Sequence, residues 1–369
     1  MITISLCMIV KDEEAVLGRC LDSVKGVADE IVIVDTGSRD RTLEKAKQYT
    51  DQIYEYSWQE DFSAARNFAF SKGKMDYLMW LDADDVLPVK SREELRRLKE
   101  SLPEKTDVVM LPYKTGFDEE GRCTFSYYRE RLVKNHRGFC FHGRVHEAIT
   151  PSGVIRYEDI PVEHHKVKEG DGGRNLRIYE GMEREGISFG PRELYYYGRE
   201  LLSHGQFKRG EAVLEDFLER EDGWVENKID GCRQLAACRY GLGDEKGALG
   251  ALLWGLSYDV PRGELCCDLG KHFFDRGRYS QAVYWFEQAL KAGKKPESGG
   301  FVQEECYGFL PAVYLCICHD RMGDWKKGER YNEMALQYKP GAACCIQNRE
   351  YFRERGKNET KGQGESYSN

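Results

Sequence analysis

The sequence predicts an α/β domain on a mostly parallel sheet, followed by an all-α domain of helical repeats. Three observations predict it. Strand-length apolar runs alternate with amphipathic segments over roughly the first 115 residues. The run Leu78-Met79-Trp80-Leu81 drives straight into Asp82, Asp84 and Asp85. From about Glu193 onward helical spacing takes over, and Gly243 and Gly277 stand 34 residues apart in matching contexts.

Ile2 to Val10 reads as the first strand, and Ala15, Val16, Cys20, Leu21 and Val24 then recur at helical spacing. Ile31 to Val34 is a second strand ending on Asp35-Thr36-Gly37-Ser38, with a short helix after Asp40. Helices are expected over Phe62 to Phe70 and Arg92 to Ser101, with strands over Tyr77 to Leu81 and Val108 to Tyr113. Residues 114 to 165 change character, with aromatics, arginines and histidines replacing the alternation, and are expected to close the site.

The second half reads as tetratricopeptide-like helix pairs. The clearest unit carries Leu269-Gly270, Phe273, Gly277, Tyr279, Ala282, Phe286 and Ala289. Gly243, Ala248, Leu252 and Gly255 precede it by one period, and the stretches around Gly205 and Gly323 supply outer copies, four units in all. The expected division is 1–170 for the α/β domain, 171–192 for a linker helix, 193–352 for the repeats and 353–369 for a disordered tail. Lys294 to Phe301, rich in Lys, Gly and Pro, should be a loop.

A chain of 369 residues with 41% hydrophobic content supports about two domains. Its net charge of -8 gives no general attraction to nucleic acid, so any phosphate recognition must be local. No run approaches the roughly 20 apolar residues of a membrane span, and no basic segment leads into a cleavable apolar stretch. The thirteen cysteines lack paired C-x-x-C spacing and read as reduced, buried thiols, which predicts a cytoplasmic protein.

Carboxylates crowded at a buried strand end are costly unless a cation neutralises them. Hard divalent ions are held by one or two carboxylates together with substrate phosphate oxygens. The cluster therefore reads as a cation and phosphate site, with a nucleotide diphosphate as substrate. The plainer alternative is a solvated helix N-terminus, where Asp is also favoured. In open sheets ligands bind beyond the carboxyl ends of the strands, and here those ends carry Lys11-Asp12-Glu13, Asp35-Thr36-Gly37-Ser38 and Asp82-Ala83-Asp84.

Ser5 to Glu14, Asp29 to Thr42, Phe62-Ser63-Ala64-Ala65-Arg66-Asn67 and Leu81-Asp82-Ala83-Asp84 together resemble family 2 glycosyltransferases of the GT-A fold. With the repeats, the chain is similar to a bacterial subgroup that includes sublancin-type peptide S-glycosyltransferases. The resemblance implies an α/β nucleotide-diphospho-sugar transferase using Mn²⁺ or Mg²⁺, with Asp82 and Asp84 as the D-x-D pair. It implies donor contacts from Val10, Glu13, Asp35, Thr36, Gly37, Arg66, Asn67 and Ala83. Glu13 could equally be a helix cap.

Inverting transfer needs a base. Glu147, in Phe141-His142-Gly143-Arg144-Val145-His146-Glu147, is the expected one, with His146 beside it. The alternative for Glu147 is an ion pair with Arg144 or Arg131, either of which could hold the diphosphate instead. His164 or His165 is expected as a further metal ligand. Asp12 stands where asparagine is common in the family. The predicted partners are a nucleotide diphosphate sugar, with uridine diphosphate hexose as donor, and an acceptor peptide, protein or saccharide. A homodimer through the repeats is a further expectation. The rival reading is a non-catalytic repeat scaffold whose α/β domain senses a nucleotide sugar. A nucleotidyltransferase is disfavoured, because no glycine-rich triphosphate loop follows the first strand.

Overall fold

The computed structural model describes residues 1–167, 171–295 and 298–365. It forms two compact units, one of Met1–Glu200 with the stretch ending at Phe301, the other of Leu201–Lys295 and the chain from Val302.

In the first unit β1 (Ile4–Val10), β2 (Glu30–Asp35), β3 (Ile53–Glu55) and β4 (Tyr77–Trp80) are mutually parallel, in the order β3-β2-β1-β4. β1 is buried on both faces, which is why it reads as a continuous apolar run. Leu6, Met8 and Val10 join one core with Leu17, Leu21 and Leu95, drawn from α1 (Leu17–Ser23) and α4 (Val89–Ser101). Cys7 joins a second core with Val32, Val34, Phe70, Leu78 and Trp80, covered by α3 (Phe62–Phe70). The short α2 (Thr42–Ala46) follows Asp40 as expected.

The sheet is mixed rather than parallel throughout. Between β5 (Asp85–Val86) and the helical region, β6 (Val108–Phe117) and β7 (Cys123–Lys134) form a long antiparallel ribbon, and β7 pairs antiparallel with β4. β8 (Phe141–His142) and β9 (Ala148–Ile149) form a separate small hairpin, while β10 (Ile155–Tyr157) and β11 (Val162–His164) add parallel to β6. β11 also pairs antiparallel with β5, placing His164 opposite Asp85. Half of the segment expected only to close the site is thus β-strand.

The linker expected over 171–192 is not free. α5 (Arg174–Arg184) and the first ten residues of α6 (Pro191–Ser203) belong to the first unit, because Tyr179 and Tyr197 are buried and stack at 5.2 Å with Phe189 edge-on to both. Lys168, Glu169 and Gly170, at the expected domain boundary, lie outside the described residues.

The second unit contains α7 (Phe207–Glu219), α8 (Val225–Gly241), α9 (Glu245–Gly255), α10 (Gly263–Phe274), α11 (Tyr279–Lys291), α12 (Phe309–Arg321), α13 (Trp325–Tyr338) and α14 (Ala343–Glu365). One turn recurs four times. Gly205, Gly243, Gly277 and Gly323 all have positive φ, and the amide after each reaches back to the carbonyl five residues earlier, as in Arg278 N to Phe273 O at 2.9 Å. Gly270 allows the fully buried Phe286 ring against α10, a Cβ there lying 2.7 Å from it. These repeated pairs are TPR-like. The tail expected to be disordered from 353 continues as helix to Glu365, carried on from buried Phe352, while residues 366–369 lie outside the described residues. Of the expected loop Lys294 to Phe301, Pro296 and Glu297 also lie outside them. No helix among the described residues is long and apolar enough to cross a membrane.

Candidate active site

The three predicted strand ends meet along one edge of the parallel strands, since Val10 lies in register with Asp35 and Cys7 with Trp80. Thr36 donates through both its amide and its hydroxyl to the Val10 carbonyl, at 3.0 and 3.2 Å. Asp35 is buried and accepts from the amides of Gly37 and Ser38, so its carboxylate shapes its own turn. Gly37 takes φ 105 there, with open space where a side chain would stand. The Glu13 amide donates to Thr42 Oγ1 at 2.6 Å, tying the loop after β1 to α2.

Arg66, on α3, joins two of the predicted acids. Its Nη2 lies 2.6 Å from Asp82 Oδ1 and its Nε 2.6 Å from Glu147 Oε1. The guanidinium packs over Trp80 at 4.8 Å and Phe141 at 5.5 Å, and its buried Nη1 has no hydrogen-bond partner among the described residues. Burial alone would raise the Asp82 carboxyl, but the Arg66 and Arg131 charges and the Arg66 hydrogen bond hold it down at about 2.

Asp84 turns away from Arg66 toward His164. Its Oδ1 and that of Asp85 each lie 3.3 Å from His164 Nδ1, and the three side chains together could hold a metal ion. Burial raises the Asp84 carboxyl, and the charges of Asp82 and Asp85 add to this against the opposing pull of His164. Burial works against a charged His164, but its bond to Asp85 and the surrounding acids raise it overall. A site that pushes a carboxyl up and an imidazole toward its cationic form is short of positive charge. Two carboxylates and an imidazole at this spacing fit Mn²⁺ and, less well, Mg²⁺. Ala83 between the acids is buried in the core.

Other predicted residues are held elsewhere. Asn67 spends its amide on the Phe141 backbone, donating to the carbonyl at 2.9 Å and accepting from the amide at 2.8 Å, and so fastens β8 to α3. Arg144 pairs with Glu185. His146 stacks on Tyr196 at 4.2 Å and meets Glu200 at 2.9 Å. His165 lies flat on Phe117 and bonds Glu163, so of the two histidines it is His164 that joins the acids.

Sequence reasoning named Asp85 in the acid cluster without a role, offered Arg131 only as a partner of Glu147 or of the diphosphate, and missed Tyr113; in the structure Glu147 pairs with Arg66 and Arg131 with Asp85. Asp85 is fully buried, with Arg131 Nη1 at 3.1 Å, the Tyr113 hydroxyl at 2.8 Å and the Asp82 amide at 3.0 Å. Arg131 is buried between the rings of Trp80 and Tyr113, at 4.0 and 4.2 Å. The available signal was Arg129-Glu130-Arg131 beside the apolar Leu132-Val133, a charged triplet running into a core strand.

Residues 5–159 match the family model "Glycosyl transferase family 2". A TPR repeat-containing protein of Synechococcus elongatus is 38% identical over 63% of this chain and 52% of its own length. The SPbeta prophage-derived glycosyltransferase SunS of Bacillus subtilis is 28% identical over 59% of this chain and 53% of its own. The lipopolysaccharide core biosynthesis glycosyltransferase LpsC of Rhizobium meliloti is 30% identical over 41% and 58%. The chain spans about half the length of these curated relatives. Residues 5–159 are thus similar to a family 2 glycosyltransferase domain, and TPR-like helix pairs follow from Phe207.

Proposed function

We propose that the chain is a metal-dependent, inverting glycosyltransferase that moves a hexose from a uridine diphosphate sugar. The acceptor is a peptide, a protein or a cell-envelope saccharide, recruited by the helical repeats. The observation that carries the reading is the buried Arg66 guanidinium, which bonds both the strand-end acid Asp82 and the carboxylate Glu147, beside the Asp84 and His164 pair.

Asp84 and His164, with Asp85 alongside, would hold Mn²⁺ or Mg²⁺, which supplies positive charge to the diphosphate leaving group. Arg66 would add a charge-assisted bond to a phosphate oxygen through its unpartnered Nη1. Val10, Glu13 and the turn Asp35-Thr36-Gly37 would take the nucleoside, with Asp35 held ready by the Gly37 and Ser38 amides. Glu147 would accept the acceptor proton at Oε2, since Oε1 is engaged by Arg66. The low exposure of Glu147 and Arg66 keeps water from competing at that carboxylate.

The test is release of diphosphate from a panel of nucleotide sugars with Mn²⁺ or Mg²⁺, for the wild type and Asp84→Ala. Metal-dependent release from one donor, lost in the variant, is expected. No binding and no release from any donor by the folded chain would overturn the reading and favour the scaffold.

A further inference from the structure

The first unit is not completed by residues 1–200. It also takes in the stretch ending at Phe301, which the sequence places between α11 and α12. The Phe301 ring stands edge-on to Tyr127 at 5.1 Å and 90°, leans on Phe125 at 5.5 Å and lies beneath the Arg199 guanidinium at 4.9 Å. Tyr127 and Tyr113 are register partners on β7 and β6, and their rings meet edge to face at 5.6 Å. The Tyr113 hydroxyl then lies 2.8 Å from Asp85 Oδ1 and 3.0 Å from His164 Nδ1.

Three rings in series therefore run from Phe301 to the group that orients Asp85 and His164. Close-packed rings set one another's rotation, and removing the outermost leaves Tyr127 a void into which it can turn. Tyr113 has no comparable freedom of its own, because Arg131 covers its face at 4.2 Å. A shift of Tyr127 is thus passed to Tyr113 as a displacement of the hydroxyl.

We propose that Phe301 is a positioning residue for the cation cluster, acting through Tyr127 and Tyr113. The inference rests on the cation reading given above. A residue that the sequence carries between two repeat helices thereby sets the geometry at which Asp84 and His164 meet a metal.

The test is Mn²⁺ binding by the full chain, followed by electron paramagnetic resonance without donor or acceptor. The proteins are the wild type, Phe301→Ala, Tyr113→Phe and the double variant, each checked for folding by circular dichroism. Phe301→Ala is expected to weaken Mn²⁺ by about threefold to tenfold, below the roughly 10–100-fold cost of losing a direct outer partner of a metal ligand. Tyr113→Phe is expected to weaken it by about tenfold. The double variant should lose less than the product of the two single losses, because the hydroxyl route is gone and only the edge-on contact of the Tyr113 ring with His164 at 5.8 Å remains. Wild-type binding that Phe301→Ala leaves unchanged, or losses that simply multiply in the double variant, overturn the inference while the cation reading stands. No Mn²⁺ binding by the wild type overturns both.

Discussion

Replacing Arg66 with alanine strips the counter-ion from two carboxylates at once. The Arg66 and Glu147 side chains are 8% and 12% exposed, while that of Asp82 is 34% exposed. Removing one partner of a buried pair costs about 3–5 kcal/mol. Water can re-enter on the Asp82 side, so we expect about 2–4 kcal/mol for the first unit. The pH dependence follows from Asp82. Its carboxyl is held at about 2 in the fold against 3.8 ordinarily, so the stabilisation is fully present above about pH 4 and fades as pH falls toward about pH 2. That difference corresponds to about 2 kcal/mol before screening and about 1 kcal/mol after discounting for the solvent at Asp82. Urea unfolding followed by tryptophan fluorescence reads this directly, since Trp80 lies 4.8 Å from the guanidinium. Arg66→Ala should unfold at lower urea near neutral pH, and its gap from the wild type should narrow by about 0.5–1 kcal/mol near pH 3. Unfolding that coincides with the wild type near neutral pH, or a gap that ignores pH, would refute the argument.

Glu147→Gln keeps the size of the side chain and removes the proton acceptor, so turnover to acceptor should fall by about 10²–10⁴ while donor binding persists. Steady-state kinetics that leave kcat untouched would assign Glu147 a purely structural pairing with Arg66. His164→Ala should weaken Mn²⁺ by at least about tenfold, and His165→Ala should not, because the latter ring is spent on Phe117 and Glu163. Equal losses by metal titration would contradict the placement. In the repeats, Gly270→Ala gains about 1 kcal/mol of helix propensity but drives a methyl to 2.7 Å from a Phe286 ring already stacked on Tyr314 at 4.7 Å. Overpacking of about 1–3 kcal/mol should win, and a thermal melt of the variant at or above the wild type would show that Phe286 can yield.

Three strands of the parallel half were legible as short apolar runs bounded by turn chemistry, and β1, β2 and β4 fall within two residues of expectation, whereas β3, three partly exposed residues, was not named. Of the β6–β7 ribbon only Val108 to Tyr113 was legible. Its outer half is only partly buried, from Lys114 to Phe117 and from Cys123 to Arg129, so no clean alternation marks it. The acids and Arg66 could be found by motif, yet their division of labour could not. Asp82 goes to Arg66 and Asp84 to His164 because of a turn and of β11 pairing with β5, seventy-odd residues along the chain. The repeats were legible from their glycines. The place of Phe301 was not, because a lone phenylalanine in a glycine-rich stretch carries no period.

Consecutive residues of α3 grip the hairpin that carries Glu147 in two ways, Asn67 by the backbone of Phe141 and Arg66 by the charge of the carboxylate. The helix therefore acts as a gauge for that carboxylate, independent of how much chain lies between β4 and β8. The ribbon tip at 118–122 can lengthen or shorten without moving Glu147, whereas a one-residue slip inside α3 would release strand and charge together. Changes of length have room at the ribbon, while the Glu147 carboxylate is anchored one turn into a nine-residue helix.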